Sequence, residues 1–179
     1  MSEWEKIVAE HGRLVWRTAW RLLGDHADAG DCFQETFLAA LELSRRQGVR
    51  NWGGLLQRLA TCTALDRLRT RKRQTRRGGP LADWSHVPSN SPGPAADAVA
   101  DELSAALREA LTELPPDQAE AFALACLGGM KYRQVARVMG IRTSAVGVLI
   151  HRGRGRLREL LSSHRPLVQR PEKDVEVSA

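Results

Sequence analysis

Between Gly78 and Pro94 the chain reads GGPLADWSHVPSNSPGP. The prolines at 80, 88, 92 and 94 fix φ and withhold backbone donors, so neither a helix nor a strand ladder passes through this stretch. Whatever fold the chain adopts is therefore assembled from two flanking segments. We read 78–100 as a flexible linker between two small domains, 1–77 and 101–165, with 166–179 as a frayed tail. Trp84 is a candidate to dock back onto a neighbouring surface.

Both flanking segments carry helical periodicity. Trp4, Ile7, Val8, Val15, Ala19 and Leu22 recur at helical spacing up to a stop at Gly24. Ala29, Cys32, Phe33, Thr36, Phe37, Ala40 and Leu41 follow the i, i+3, i+4, i+7 rule, with Asp28 placed to cap or favour the helix start. A third helix is predicted from about Trp52 to Arg73, its inward side being Leu55, Leu56, Leu59, Cys62 and Leu65. Beyond the break, Leu103, Ala106, Leu107, Ala110, Leu111 and Leu114 form an amphipathic stripe ended by Pro115 and Pro116. A short helix over about 117–127 follows, then Gly128 and Gly129. The last two helices, Tyr132 to Met139 and about Ser144 to Leu161, flank a short turn containing Gly140, which is the helix-turn-helix pattern. No alternating strand pattern appears, so the expected fold class is all-α: two small helical domains joined by a flexible linker, the C-terminal one a helix-turn-helix.

Charge narrows the function. The 179 residues carry a net charge of +6, but in blocks: −4 over 1–42, +10 over 43–77, −7 over 78–126, +9 over 127–170 and −2 in the tail. Two basic surfaces with acidic surroundings are expected. A 42% hydrophobic content is enough for a core. No run of about 18 uncharged apolar residues exists, and the start MSEWEKIVAEHGR lacks the order of a secretion signal, so neither membrane insertion nor export is expected and a cytoplasmic protein is. Cys32, Cys62 and Cys126 lie far apart inside apolar helical patterns and read as buried thiols, not disulfide or metal ligands. The five histidines are scattered, and HExxH, GxSxG and a glycine-rich phosphate loop are all missing. Neither catalysis, nor a metal, nor a cofactor is expected.

Three surfaces remain as candidates. In a helix-turn-helix the second helix enters the major groove, its first residues facing base edges while basic residues grip phosphate. Here Thr143 or Ser144 caps that helix, and Arg152, Arg154, Arg156 and Arg158 line its later turns. RLRTRKRQTRR, residues 67–77, places seven basic residues in eleven positions after a long helix that starts at Trp52. Basic and aromatic residues together suit phosphate and unstacked single-stranded bases. The third surface is the outer side of the second helix, with Asp28, Asp31, Gln34, Glu35, Leu38 and Glu42. It is either an ordinary solvated face or a docking surface for a basic partner, and the apolar Leu38 among the acids suits the second.

At this point the residues carry a resemblance. RLLGDHADAGDCFQETFLAAL (21–41), LLQRLATCTALDRLRTRKR (55–73), LPPDQAEAFALACLGGMKYRQVARVMGI (114–141) and RGRGRLREL (152–160), in this order and spacing, resemble the extracytoplasmic-function sigma factors, initiation subunits of bacterial RNA polymerase. The resemblance covers roughly 5–75 and 103–162. It implies that the first domain docks on the clamp helices of the polymerase largest subunit through Asp28, Asp31, Gln34, Glu35 and Leu38, with the polymerase flap a further contact. It implies recognition and melting of the minus-ten element along Asn51, Trp52, Asp66, Arg67, Arg69, Arg71, Lys72 and Arg73, with a flipped base held in a protein pocket. It places the last helix in the minus-thirty-five element, with Arg142, Thr143, Ser144, Gly147, Val148, His151, Arg152 and Arg154 as the contact positions. An anti-sigma protein wedged between the two domains is a further implied partner.

The sequence departs from the family pattern at several of these positions. Gly30 replaces a usual Glu in the docking helix and Cys62 a usual Asn in the third helix. Ala145, Gly147, Val148 and Leu149 stand where Thr, Lys, Ser and Arg are frequent, which removes phosphate and guanine contacts and shifts the expected binding to Arg142, Ser144, His151, Arg152 and Arg154. Two other readings stay open: a stand-alone helix-turn-helix regulator of duplex DNA, which has no use for the acidic face or for 51–73, and a degenerate relative whose second domain is weakened by Gly147, Gly153 and Gly155.

Overall fold

The computed structural model describes residues 2–77 and 94–162, so the proposed linker up to residue 93, Trp84 and the tail beyond 162 lie outside the described residues. Seven α-helices and one π-helical turn make up the fold, and no strand occurs among the described residues. Helix α1 spans Glu3–Leu23 and starts in a capping box: Ser2 Oγ accepts from the Glu5 backbone N–H at 3.2 Å, and the Glu5 carboxylate accepts from Ser2 N–H at 2.9 Å. It stops at Gly24, whose φ of 67° only glycine adopts cheaply. A Cβ there would also collide with the Arg108 guanidinium from the second half.

Helix α2 spans His26–Arg46 and is capped by Asp25, whose carboxylate accepts from Asp28 N–H at 2.8 Å; Asp28 is not the cap but the acid of the first turn, where it favours the helix start. Helix α3 spans Trp52–Arg76, with the Asn51 side chain accepting from Gly54 N–H at 3.0 Å. Helix α4 spans Pro94–Thr112, so helix begins inside the interval assigned to the linker. Pro94 was read only as a breaker, but at the first helical position its missing N–H costs nothing and its φ is already helical. Helix α5 covers Pro116–Phe122 and widens into a π turn over Ala123–Leu127, where an ordinary helix to residue 127 was expected. Helix α6, Tyr132–Met139, ends at Gly140 with φ 71°, and α7 spans Thr143–Leu160.

Helices α1, α2 and α3 enclose one apolar cluster around Val15, Phe37, Ala40, Leu56 and Ala60, where Trp4 meets Trp52 edge-on with ring centres 5.6 Å apart. Leu124, Met130, Val135, Val146 and Ile150 form the core of the helix-turn-helix. A further cluster belongs to both halves: Leu22, Leu23, Leu65 and Leu68 pack with Leu111, Leu114, Ala119, Ala123 and Leu157. The two helical modules therefore press together across a continuous apolar interior. Helix α3 lies at its centre and touches α1, α2, α4, α5 and α6. That explains why its buried face includes Gln57 and Thr61 besides Leu56 and Leu65, wider than the single stripe read from spacing, while Leu55, Leu59 and Cys62 are only partly buried. Of the three cysteines expected in the interior, only Cys32 is fully buried; Cys62 and Cys126 are half-buried.

Truncating a side chain in the shared cluster has a readable consequence. Leu111, 1% exposed, sits on α4, whereas Trp4, Trp16, Trp20 and Trp52 all stand in the first half. Leu111→Ala is expected to cost about 2–5 kcal/mol. In a urea titration followed by tryptophan emission, the first-half transition should move to lower urea; an unmoved transition would mean that the halves fold independently.

Candidate nucleic-acid interface

The helix-turn-helix is positioned by its inward residues. Val146, Ile150, Gly153 and Leu157 of α7 face α5 and α6, which turns Ser144, Val148, His151 and Arg152 outward as one exposed strip. Arg142 and Thr143 stand exposed at its start and Gly147 is half-exposed between them. The expected cap is not there: Arg142 occupies the N-cap position without a side-chain bond, and Thr143 is the first helical residue. The free backbone N–H groups and the positive end of the helix dipole therefore face outward, a setting that suits an anion. Arg154 reaches the Cys126 sulfur at 3.3 Å. Among the described residues, Arg142, Arg152, Arg154, Arg156 and Arg158 have no ion-pair partner.

The basic block of α3 is in a different state. Arg67 donates to Glu35 at 2.6 Å and lies 3.5 Å from both Asp28 and Asp31, and Arg71 pairs with Asp28. The hydrogen bond to Glu35 is the main reason the Arg67 pKa rises further. Asp66 pairs with Arg69 at 3.1 Å, Arg73 bonds the Thr70 hydroxyl at 3.0 Å, and Lys72 pairs with Glu113 and lies 3.5 Å from Glu109 of α4. Asn51 is occupied as the cap of α3, and Trp52 is half-buried against Trp4. Thus Asp28 and Glu35, named from the sequence for polymerase docking, and Asp66, Arg67 and Arg71, named for the minus-ten element, line one open groove of about 540 Å³, whereas Asp31, Gln34, Leu38, Asn51, Trp52, Arg69, Lys72 and Arg73 do not line it. Leu38 stands 60% exposed on the same helix.

Sequence reasoning missed the contacts that join the halves. Arg58 of α3 donates to Glu120 at 2.6 Å and to the Val138 carbonyl at 2.6 Å, Gln57 donates to the Gly128 carbonyl at 2.8 Å, and Arg21 donates to the Leu127 carbonyl. The carbonyls at the end of the π turn are the negative end of a helix and need donors. A polar Gln57-Arg58 pair within an otherwise apolar helical run is the signal that was available. Burial pushes the Cys32 thiol up to about 11 and the Cys62 thiol up to about 12. No described helix is long and apolar enough to cross a membrane.

Two packed helical modules, one a helix-turn-helix with an open basic helix and the other carrying a basic helix against an acidic one, define a two-part DNA-binding protein. Comparison with known proteins gives the family. Sigma-70 region 2 matches residues 7–74 and Sigma-70 region 4 matches residues 104–157. The chain is 34% identical over 164 residues to the ECF RNA polymerase sigma factor SigE of Mycolicibacterium smegmatis, covering 92% of this chain and 63% of that protein. It is 31% identical to the RNA polymerase sigma factor CarQ of Myxococcus xanthus, covering 88% of each. Its fold is similar to that of the sigma factor RpoE of Bartonella quintana, crystallised with the anti-sigma factor NepR, at a TM-score of 0.59 and 21% identity over 92% of this chain and 100% of that one. The chain belongs to the extracytoplasmic-function sigma factors, transcription-initiation proteins with DNA-binding regions.

Proposed function

We propose that this chain binds core RNA polymerase and directs it to a restricted set of promoters. Docking on the clamp helices of the largest subunit is assigned to Asp28, Asp31, Gln34, Glu35 and Leu38, with the polymerase flap a further contact. The minus-ten element is assigned to Asn51, Trp52, Asp66, Arg67, Arg69, Arg71, Lys72 and Arg73. The minus-thirty-five element is assigned to the outward strip of α7, from Arg142 to Arg154. The observation that carries the reading is the pairing, in one chain, of an outward, unpaired basic recognition helix with an acidic helix that exposes Leu38. A regulator of duplex DNA needs only the first of these.

The promoter geometry requires a rearrangement. The two elements lie roughly 25 base pairs apart, about 85 Å of duplex at about 3.4 Å per step. A closed body of this length is only about 40 Å across. The modules therefore part on the promoter, breaking the Arg58–Glu120 pair and the bonds from Arg21 and Gln57. A partner of the anti-sigma kind would keep the chain inactive by wedging between the two modules, and the similar structure from Bartonella quintana was crystallised with an anti-sigma factor.

Co-purification separates the readings. With purified core polymerase and a duplex fragment offered together, the chain should elute with polymerase. A chain that retains duplex but leaves polymerase unbound would instead be a stand-alone regulator.

A further inference from the structure

The two basic blocks of this protein are not equivalent. Among the described residues, the arginines on α7 have no ion-pair partner, whereas on α3 Arg67, Arg71, Lys72 and Arg76 are held from two sides, Arg69 pairs with Asp66 of its own helix and Arg73 bonds only the Thr70 hydroxyl. Arg67 and Arg71, one helical turn apart, face the α2 carboxylates of Asp28, Asp31 and Glu35. Lys72 and Arg76, also one turn apart, face the α4 carboxylates: Lys72 meets Glu109 and Glu113, and Arg76 lies 3.3 Å from Glu113. The −4 and −7 segments thus bracket the +10 segment in space as they do in sequence.

Carboxylates and phosphates compete for the same donors, because both present paired anionic oxygens to guanidinium and ammonium groups. We propose that the carboxylates of α2 and α4 are a built-in competitor of promoter DNA, occupying the cationic end of α3 until polymerase docking and separation of the modules release it. This rests on the proposed function and adds a regulation to it. A basic partner helix that takes Asp31 and Glu35 removes two of the partners of Arg67, and movement of α4 removes those of Lys72 and Arg76. Docking and DNA binding are then coupled through shared ion pairs, and the coupling is reciprocal. In the free chain four of the α3 cations are occupied and DNA meets α3 weakly; in the polymerase complex it meets both blocks in full.

The test compares full-length variants by fluorescence anisotropy with a labelled single-stranded oligonucleotide carrying a minus-ten sequence. Glu109→Gln with Glu113→Gln removes the α4 side of the competitor and leaves the proposed docking residues intact. The expected result is binding about 3–10-fold tighter than the parent, the scale of a few partly exposed ion pairs. Glu3→Gln with Glu102→Gln removes the same charge outside these pairs and should stay within about 1.5-fold, since exposed charges farther away are screened by salt. Adding Lys72→Ala to the first variant should cancel most of its gain, and in the assembled polymerase complex the gain should vanish because α4 has already moved. No gain in the free chain, an equal gain in the control pair, or a gain that persists in the complex would overturn the proposal. A complex that binds no promoter at all would instead defeat the proposed function, and the free-chain comparison would still decide whether the carboxylates compete.

Discussion

Asp31→Lys combined with Glu35→Lys is expected to weaken binding to core RNA polymerase at least about 100-fold. Both carboxylates are well exposed, 64% and 54%, and they lie about two turns and one turn before Leu38, the most exposed large apolar side chain among the described residues. Against a basic partner helix, charge reversal replaces two attractions by two repulsions, and like charges facing each other across an interface cost several kcal/mol. A hundredfold loss needs only about 2.8 kcal/mol. The fold should survive, since neither side chain is buried and the core of α2 is built by Ala29, Cys32, Thr36, Phe37 and Ala40. An unchanged circular dichroism spectrum with lost co-elution is therefore the expected pair of results. Unchanged affinity would remove α2 from the docking surface.

The second large effect comes from preventing the modules from parting. A Cβ placed on Gly54 of α3 would lie 3.0 Å from a Cγ of Val138 on α6. In a disulfide, the Cβ of one cysteine and the sulfur of the other are also about 3 Å apart. Gly54→Cys with Val138→Cys, in a background with Cys62→Ser and Cys126→Ser, should therefore cross-link the halves on oxidation once the Asn51 side chain, which shares this space, turns aside. Oxidised protein is expected to lose promoter-dependent transcription by more than about tenfold and to regain it on reduction. The reduced form controls for the substitutions themselves. Full activity of the cross-linked form would mean that the closed arrangement already fits the promoter, contrary to the span argument.

Much of this architecture was readable from residue spacing, and the exceptions share a cause. Helices α1, α2, α6 and α7 follow their apolar stripes because each presents one face to the interior. For α3 the stripe was too narrow a guide: a helix surrounded by neighbours on several sides buries polar residues that find partners, and Gln57 does so on the Gly128 carbonyl. Pro94 was read as a breaker inside the linker although proline is as well suited to the first turn of a helix. The cap residues of α2 and α7 were placed on helical side chains, while the structure uses Asp25 and Arg142, because capping depends on where the first turn closes.

The charge pattern was legible in kind but not in consequence. Segment sums separated acidic from basic surfaces. They did not reveal that Arg67 and Arg71 meet the α2 acids, or that Lys72 and Arg76 meet those of α4, because such pairs join residues 32 to 43 positions apart in sequence. The same tertiary pairing brings Asp28 and Glu35 of the docking set together with Asp66, Arg67 and Arg71 of the minus-ten set on one groove.

Reconstituted transcription tests the central claim most directly. Purified core polymerase, with and without the full-length chain, would be supplied with a library of genomic fragments and the transcript ends mapped. The account predicts discrete start sites that appear only when the chain is added and that share sequence upstream at the minus-ten and minus-thirty-five positions. No chain-dependent transcript across the whole library, from a preparation that still binds duplex DNA, would contradict it.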